Sequence, residues 1–289
     1  MPESATAYPW WPTLKGHLAL ARLSNSPTVV SNVVTGAALA GMTTLHGSLG
    51  WLAGAMLCFY TAGMYLNDVC DEAVDARERP DRPLPSGLIS RRTALTVVIG
   101  LFIVGCGLLA VVGGTALASG LVLVGLIIVY DRWHKTNPVS PLLMALTRVM
   151  VYVTAFLGFS AQVTALLAAA SGCMLLYVIG LTSIAKRETE SAFTRYWPAV
   201  LLLVPAGYGI AQSLPGAYLV LPVLFVGWTA YSMSRVYRGH IGQGVVRLIA
   251  GIALLDAMIL ATERAAPGIG VALVAFVLTL GLQRYIKGT

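Results

Sequence analysis

Ten apolar runs separated by short connections leave this chain little freedom in what it can fold into. They fall near 18–41, 47–67, 93–112, 115–130, 141–160, 163–185, 197–213, 217–234, 245–262 and 268–285. A helix needs about 20 residues to cross the ~30 Å hydrocarbon layer of a bilayer, and most of these runs approach that length. No window alternates apolar and polar residues with the period of two that a membrane barrel requires. The expected fold is all-α: a polytopic transmembrane helical bundle that makes one membrane domain of residues 1–289. Composition agrees, at 57% hydrophobic and 11% charged, against about 45–50% and about 25% in soluble domains. The polar first seventeen residues carry Trp10 and Trp11 and read as an interfacial segment, with no signal peptide evident.

The connections sort the charge. Loops after odd-numbered runs are terse (LHGS, GGT, AQV, LPG, RAAPG), whereas loops after even-numbered runs are basic. Eighteen of the nineteen Lys and Arg fall on one side, and Arg264 alone falls on the other. The positive-inside rule then places both termini and every even-numbered loop in the cytoplasm, in an inner or plasma membrane. Nine spans would strand Arg284 and Lys287 outside, so the charges favour ten. The net charge of +7 is accounted for by this topology, and no nucleic-acid partner is expected. Cys58, Cys70, Cys106 and Cys173 lie in or beside apolar runs without paired spacing, which suits reduced thiols and no disulfide framework.

A weak internal repeat is also visible. Aligning Gly63 in FYTAGMYLNDVCD with Gly180 in LYVIGLTSIAKRE puts Asp71 opposite Glu188, four spans apart. This suits two four-helix halves, about 18–130 and 141–234, facing each other across a shared cavity, with C-terminal helices over about 245–285.

The chemistry gathers where the second run ends, in NDVCDEAVDARERPDRPLPSG. Asp68, Asp71 and Asp75 are spaced by three and four and share one helix face. Acids near a helix C-terminus oppose the helix dipole, so a bland surface role explains them poorly. Carboxylates that repel one another unless a cation sits among them suit Mg²⁺, which keeps room for water and phosphate oxygens. Arg77, Arg79 and Arg82 follow in a Pro-stiffened loop, and cations beside such a cluster suit a phosphate or diphosphate. A second stretch, YDRWHKTNPVSP, brings Tyr130 and Lys135, and His134 reads as an exposed loop residue. A third, IAKRETES, brings Lys186, Arg187 and Glu188; alone, either of these stretches reads as an ordinary charged loop or helix end. Inside the spans lie Asn32, Arg148 and Asp256. An ionisable group there faces a cavity or a partner. For Asn32 a helix–helix hydrogen bond fits as well as a cavity role, Asp256 reads as structural, and Arg22 is either a topology anchor or a phosphate contact. Trp133, Tyr152, Phe156 and Tyr177 could line a cavity, with core packing the plainer role.

Asn67-Asp68-x-x-Asp71-x-x-x-Asp75 followed by Arg82-Pro83-Leu84-Pro85-Ser86-Gly87 resembles the first signature of the UbiA-type intramembrane prenyltransferase superfamily. The short gap between Asp75 and Arg82 is more similar to its chlorophyll-synthase and archaeal lipid branches than to its quinone branch. Tyr130-x-x-x-x-Lys135 resembles the family's Tyr–Lys loop element, and Asn32 and Arg22 sit where its first-span polar residues would.

The resemblance implies a transferase of alkyl or aryl groups other than methyl. A prenyl diphosphate donor, held with Mg²⁺, would meet a small lipophilic or aromatic acceptor within the membrane lipid. By that resemblance Asp68, Asp71 and Lys135 are the expected catalytic residues. Arg22, Asn32, Arg79, Arg82, Tyr130, Arg148, Lys186 and Arg187 are the expected substrate contacts, and Asn67, Asp68, Asp71, Asp75 and Glu188 the expected metal ligands. Two departures stand out. The family usually has nine spans, and its second Asp-rich motif is replaced here by SIAKRETES, which has no Asp. That replacement is similar to the decaprenylphosphoryl-phosphoribose synthase branch, which implies an alternative pair of substrates, a polyprenyl phosphate and a sugar diphosphate (phosphoribosyl pyrophosphate). A non-catalytic lipid carrier is a third reading.

Overall fold

The computed structural model describes residues 10–42, 44, 46–135, 137–186, 196–213 and 216–285. Among them every regular element is helical. An N-terminal helix α1 (Trp10–Leu20) leads through a 3₁₀ turn (Leu23–Asn25) into α2 (Pro27–Leu39). Then follow α3 (Ser48–Glu78), α4 (Arg91–Val112), α5 (Gly114–Trp133), α6 (Ser140–Leu157), α7 (Ala165–Lys186), α8 (Tyr196–Ser213), α9 (Val220–Tyr237), α10 (Ile241–Thr262) and α11 (Ala266–Tyr285). Helices satisfy their own backbone groups, which lipid cannot do for them. Each of the ten expected apolar runs is therefore one helix, α2 to α11. Seven of these (α3–α7, α10 and α11) are long and apolar enough to cross a membrane. At 13 residues, α2 is shorter than its run suggests: the turn at Leu23–Asn25 and Pro27, at its first position, start it late.

The helices pack in chain order around a ring, from α3 against α4 onward to α11 against α2. α2 also packs on α6 and α10. α10 is the most enclosed of the seven long helices, whereas α4 turns Ile99, Ile103 and Val111 outward where lipid would lie. Tyr152, Phe156 and Tyr177 belong to the buried core. Trp133 does not: it is 55% exposed, because it sits at the end of α5, beyond the apolar packing.

Candidate active site

The last turns of α3 and α5, the turn between α1 and α2 and the loop after α3 meet at one end of the bundle. Asn67, Asp68, Asp71 and Asp75 all face inward from α3 and are buried. Their spacing puts them on one stripe, and α3 runs 31 residues, long enough to carry this stripe past the apolar layer. The loop after α3 is pinned by Leu84 and Ile89, which pack with Tyr65 and Val69. That anchoring turns Arg82 back onto α3, where its Nη1 pairs with Asp75 and lies 3.9 Å from Asp68. Arg22 is held in the left-handed region (φ 42°, ψ 46°), a strained backbone state for a residue other than glycine. Its carbonyl accepts from the Tyr60 hydroxyl, and its Nη2 donates to Asp68 Oδ1 at 3.1 Å and Asn67 Oδ1 at 3.4 Å.

Sequence reasoning passed over Asp131. It is buried on α5, and its Oδ1 accepts from Asn67 Nδ2 at 3.2 Å. The available signal was a carboxylate at the C-terminal end of an apolar helix, the same signal that singles out Asp68. His134 corrects the loop expectation: it is half-buried, with Nε2 3.3 Å from Asp71 Oδ2, because α5 ends directly beside α3. Burial works against its imidazolium, but the Asp71 hydrogen bond and charge outweigh it and hold the His134 pKa above its usual value. Lys135 Nζ lies 3.1 Å from Asp71 Oδ1, and Tyr130 stacks on the His134 ring.

The other expected contacts lie elsewhere. Arg79 is exposed past the end of α3, outside the cluster. Lys186 Nζ donates to the carbonyls of His134 and Asn137 and to Ser140 Oγ, so it ties α7 to the loop before α6. Asn32 is fully buried against α10 rather than in the cavity. Arg187 and Glu188 lie outside the described residues.

Behind the cluster opens an apolar chamber of about 300 Å³. Arg22, Tyr130 and Asp131 stand at its polar end, Met56, Phe59 and Ile127 are among its walls, and Arg148 lines it too. Four buried polar atoms here have no hydrogen-bond partner among the described residues: Nε of Arg22 and of Arg82, and Oδ2 of Asp68 and of Asp131. Each such orphan costs about 1–3 kcal/mol, so four in one place are hard to explain by packing alone. Two are cationic donors suited to phosphate oxygens, and two are hard anionic acceptors suited to Mg²⁺. No three His, Cys, Asp or Glu side chains among the described residues form a metal cage by themselves. Mg²⁺ needs none, since it takes one or two carboxylates and completes its shell with water and phosphate oxygens. The donor set fits that ion.

A family model described as the UbiA prenyltransferase family matches residues 29–195. The chain is 35% identical over 126 residues to the digeranylgeranylglyceryl phosphate synthase of Methanopyrus kandleri, covering 43% of this chain and 46% of that protein. The chain thus spans about half the length of the curated relatives it matches. A UbiA homologue from Archaeoglobus fulgidus superposes with a TM-score of 0.63 at 12% identity, over 88% of this chain and 99% of that one. A UbiA homologue from the same organism bound to GPP and Mg²⁺ gives 0.54 at 13% identity, over 91% and 99%. At such identities the superpositions establish the fold.

Proposed function

The chain belongs to the UbiA prenyltransferase family, and from that premise we propose that it transfers a prenyl group from a prenyl diphosphate to a lipophilic or aromatic acceptor, with Mg²⁺ at the polar mouth and this mouth in the cytoplasm. The observation that carries the reading is the set of four orphaned atoms, two guanidinium donors and two carboxylate acceptors, gathered at the polar end of an apolar chamber that Arg22 and Asp131 line. Asp68, Asp131 and Asn67 offer the oxygen ligands. Arg22, Arg82 and Lys135 offset the charge of the diphosphate and hold its oxygens in place. When bound, Mg²⁺ supplies Lewis-acid stabilisation of the departing diphosphate. The chamber walls keep water from the allylic carbon, so that the acceptor captures it. Phe59 and Tyr60 line the chamber, and aromatic rings there would favour developing positive charge.

The phosphoribosyl alternative rests on Lys186 and Arg187; the Lys186 ammonium is already committed to the loop before α6, and Arg187 lies outside the described residues. The carrier alternative fits poorly with an acidic cluster confined to one end. The test is the melting temperature of the detergent-purified chain with Mg²⁺, comparing GPP with phosphoribosyl pyrophosphate. A ligand that binds the folded state alone stabilises it by mass action. Stabilisation by GPP and none by the sugar diphosphate is expected; the reverse pattern would sink the prenyl reading.

A further inference from the structure

A second polar cluster lies apart from the mouth, where α2, α6 and α10 meet. Asp256 of α10 is fully buried. Three donors converge on its carboxylate: Ser31 Oγ and Asn32 Nδ2 (the latter at 2.8 Å) on Oδ2, and the Tyr152 hydroxyl on Oδ1. This fixes the Asn32 amide. With Nδ2 committed to Asp256, Oδ1 faces the other way, where it accepts from Arg148 Nη1 at 3.0 Å. Arg148 in turn stands over the Tyr60 ring, 5.7 Å from its centroid, and lines the chamber. Among the described residues no carboxylate forms an ion pair with it. A cation at membrane depth is expensive unless it is balanced. Here the balance is relayed: the Asp256 charge reaches Arg148 through a neutral amide, which leaves the outer N–H groups of the guanidinium to the chamber. Arg148 is eight residues into α6, about 12 Å along the helix at 1.5 Å per residue. Tyr60 stands between it and Arg22.

We infer that Asp256 is a positioning residue: through Asn32 it aims Arg148 at an oxygen-bearing head group of the acceptor, at a point separate from the diphosphate mouth. The inference rests on the prenyl-transfer reading. Asp256→Asn keeps the shape but removes the charge that the Asn32 amide relays to the guanidinium. A merely structural Asp256 would lower stability without singling out one substrate.

The experiment uses the full chain in detergent with Mg²⁺, GPP as donor and geranylgeranylglyceryl phosphate as the acceptor probe. Both KM values and the Kd of the acceptor probe are measured for wild type, Asp256→Asn, Arg148→Gln and the double variant. Asp256→Asn should raise the acceptor KM and Kd about tenfold, the scale of one charge-assisted hydrogen bond, with the KM for GPP unchanged. The double variant should lose no more than Arg148→Gln alone, because the two residues act as one unit. Unchanged acceptor values, multiplicative losses, or a wild type that binds no probe would overturn the relay. If wild type binds the probe, loses it in both single variants and yet forms no product, the transfer reading fails and the relay stands. Should Asp256→Asn not fold, Asn32→Ala cuts the same relay at its middle link, and an unchanged acceptor Kd there overturns it.

Discussion

Asp75 and Asp131 are both buried carboxylates at the mouth, but their oxygens are engaged differently. Asp75 is committed to Arg82, whereas Asp131 keeps one oxygen without a partner among the described residues. Asp68→Asn and Asp131→Asn are therefore expected to weaken Mg²⁺ binding by about tenfold or more, read as the Mg²⁺ dependence of the melting temperature with GPP present. Asp75→Asn should move that midpoint far less. Its partner tells a different story: the Arg82 and Asp75 side chains are 10% and 7% exposed, and stranding a buried charge costs about 3–5 kcal/mol. Arg82→Ala should lower the melting temperature sharply, whereas Arg79→Ala, at an exposed site, should stay within about 0.5 kcal/mol of wild type. Equal melting temperatures for the two would refute this ranking. Spacing along one helix was enough to put Asp68, Asp71 and Asp75 on one face, because a helix face is a local property. Asp131 and the His134–Asp71 pair depend on α5 ending beside α3, a neighbourhood that no spacing within either segment records.

The helices that carry these residues are set by close backbone approaches. A Cβ on Gly36 would lie 2.5 Å from the Tyr152 carbonyl oxygen and 2.8 Å from Ala155 Cβ. α2 and α6 thus meet nearly backbone to backbone, which brings Asn32 within reach of Arg148 and Asp256. Neither obstacle is a flexible side-chain tip, so Gly36→Leu should overpack the interface by about 1–3 kcal/mol and weaken acceptor binding along with stability. Gly100 has nothing within 4 Å of its would-be Cβ, and Gly100→Ala should leave the melting temperature unchanged or raise it. Matching losses at the two positions would mean that the α2–α6 contact is not what Gly36 provides. The pairs Gly36/Gly41 and Gly100/Gly105 look alike in the sequence but do different things. Gly36 and Gly105 take close contacts, Gly41 makes a turn at φ 90°, and Gly100 faces open space. A small residue permits an approach, and only the partner helix decides whether one happens.

At the scale of the whole molecule the apolar runs made the helical fold legible, since each run had to become one helix once lipid was its solvent. The count of crossings was less legible, because α2 runs only 13 residues, and α8 and α9, each as long as α6 at 18 residues, are not among the seven helices long and apolar enough to cross a membrane. The proposed orientation rests on charge: the mouth residues Arg22, Arg82 and Lys135 share a face with the basic loops, and the positive-inside rule predicts that such a face lies in the cytoplasm. Cys70 provides the test. It is exposed at this mouth, while Cys173 is buried and Cys58 and Cys106 are partly buried within helices. With the other three cysteines changed to Ala, a membrane-impermeant maleimide should label Cys70 in inverted membrane vesicles and leave it unlabelled in intact cells or right-side-out vesicles. Labelling from the outer face would invert the proposed topology and place the acidic mouth outside, away from any cytoplasmic supply of the proposed diphosphate donor.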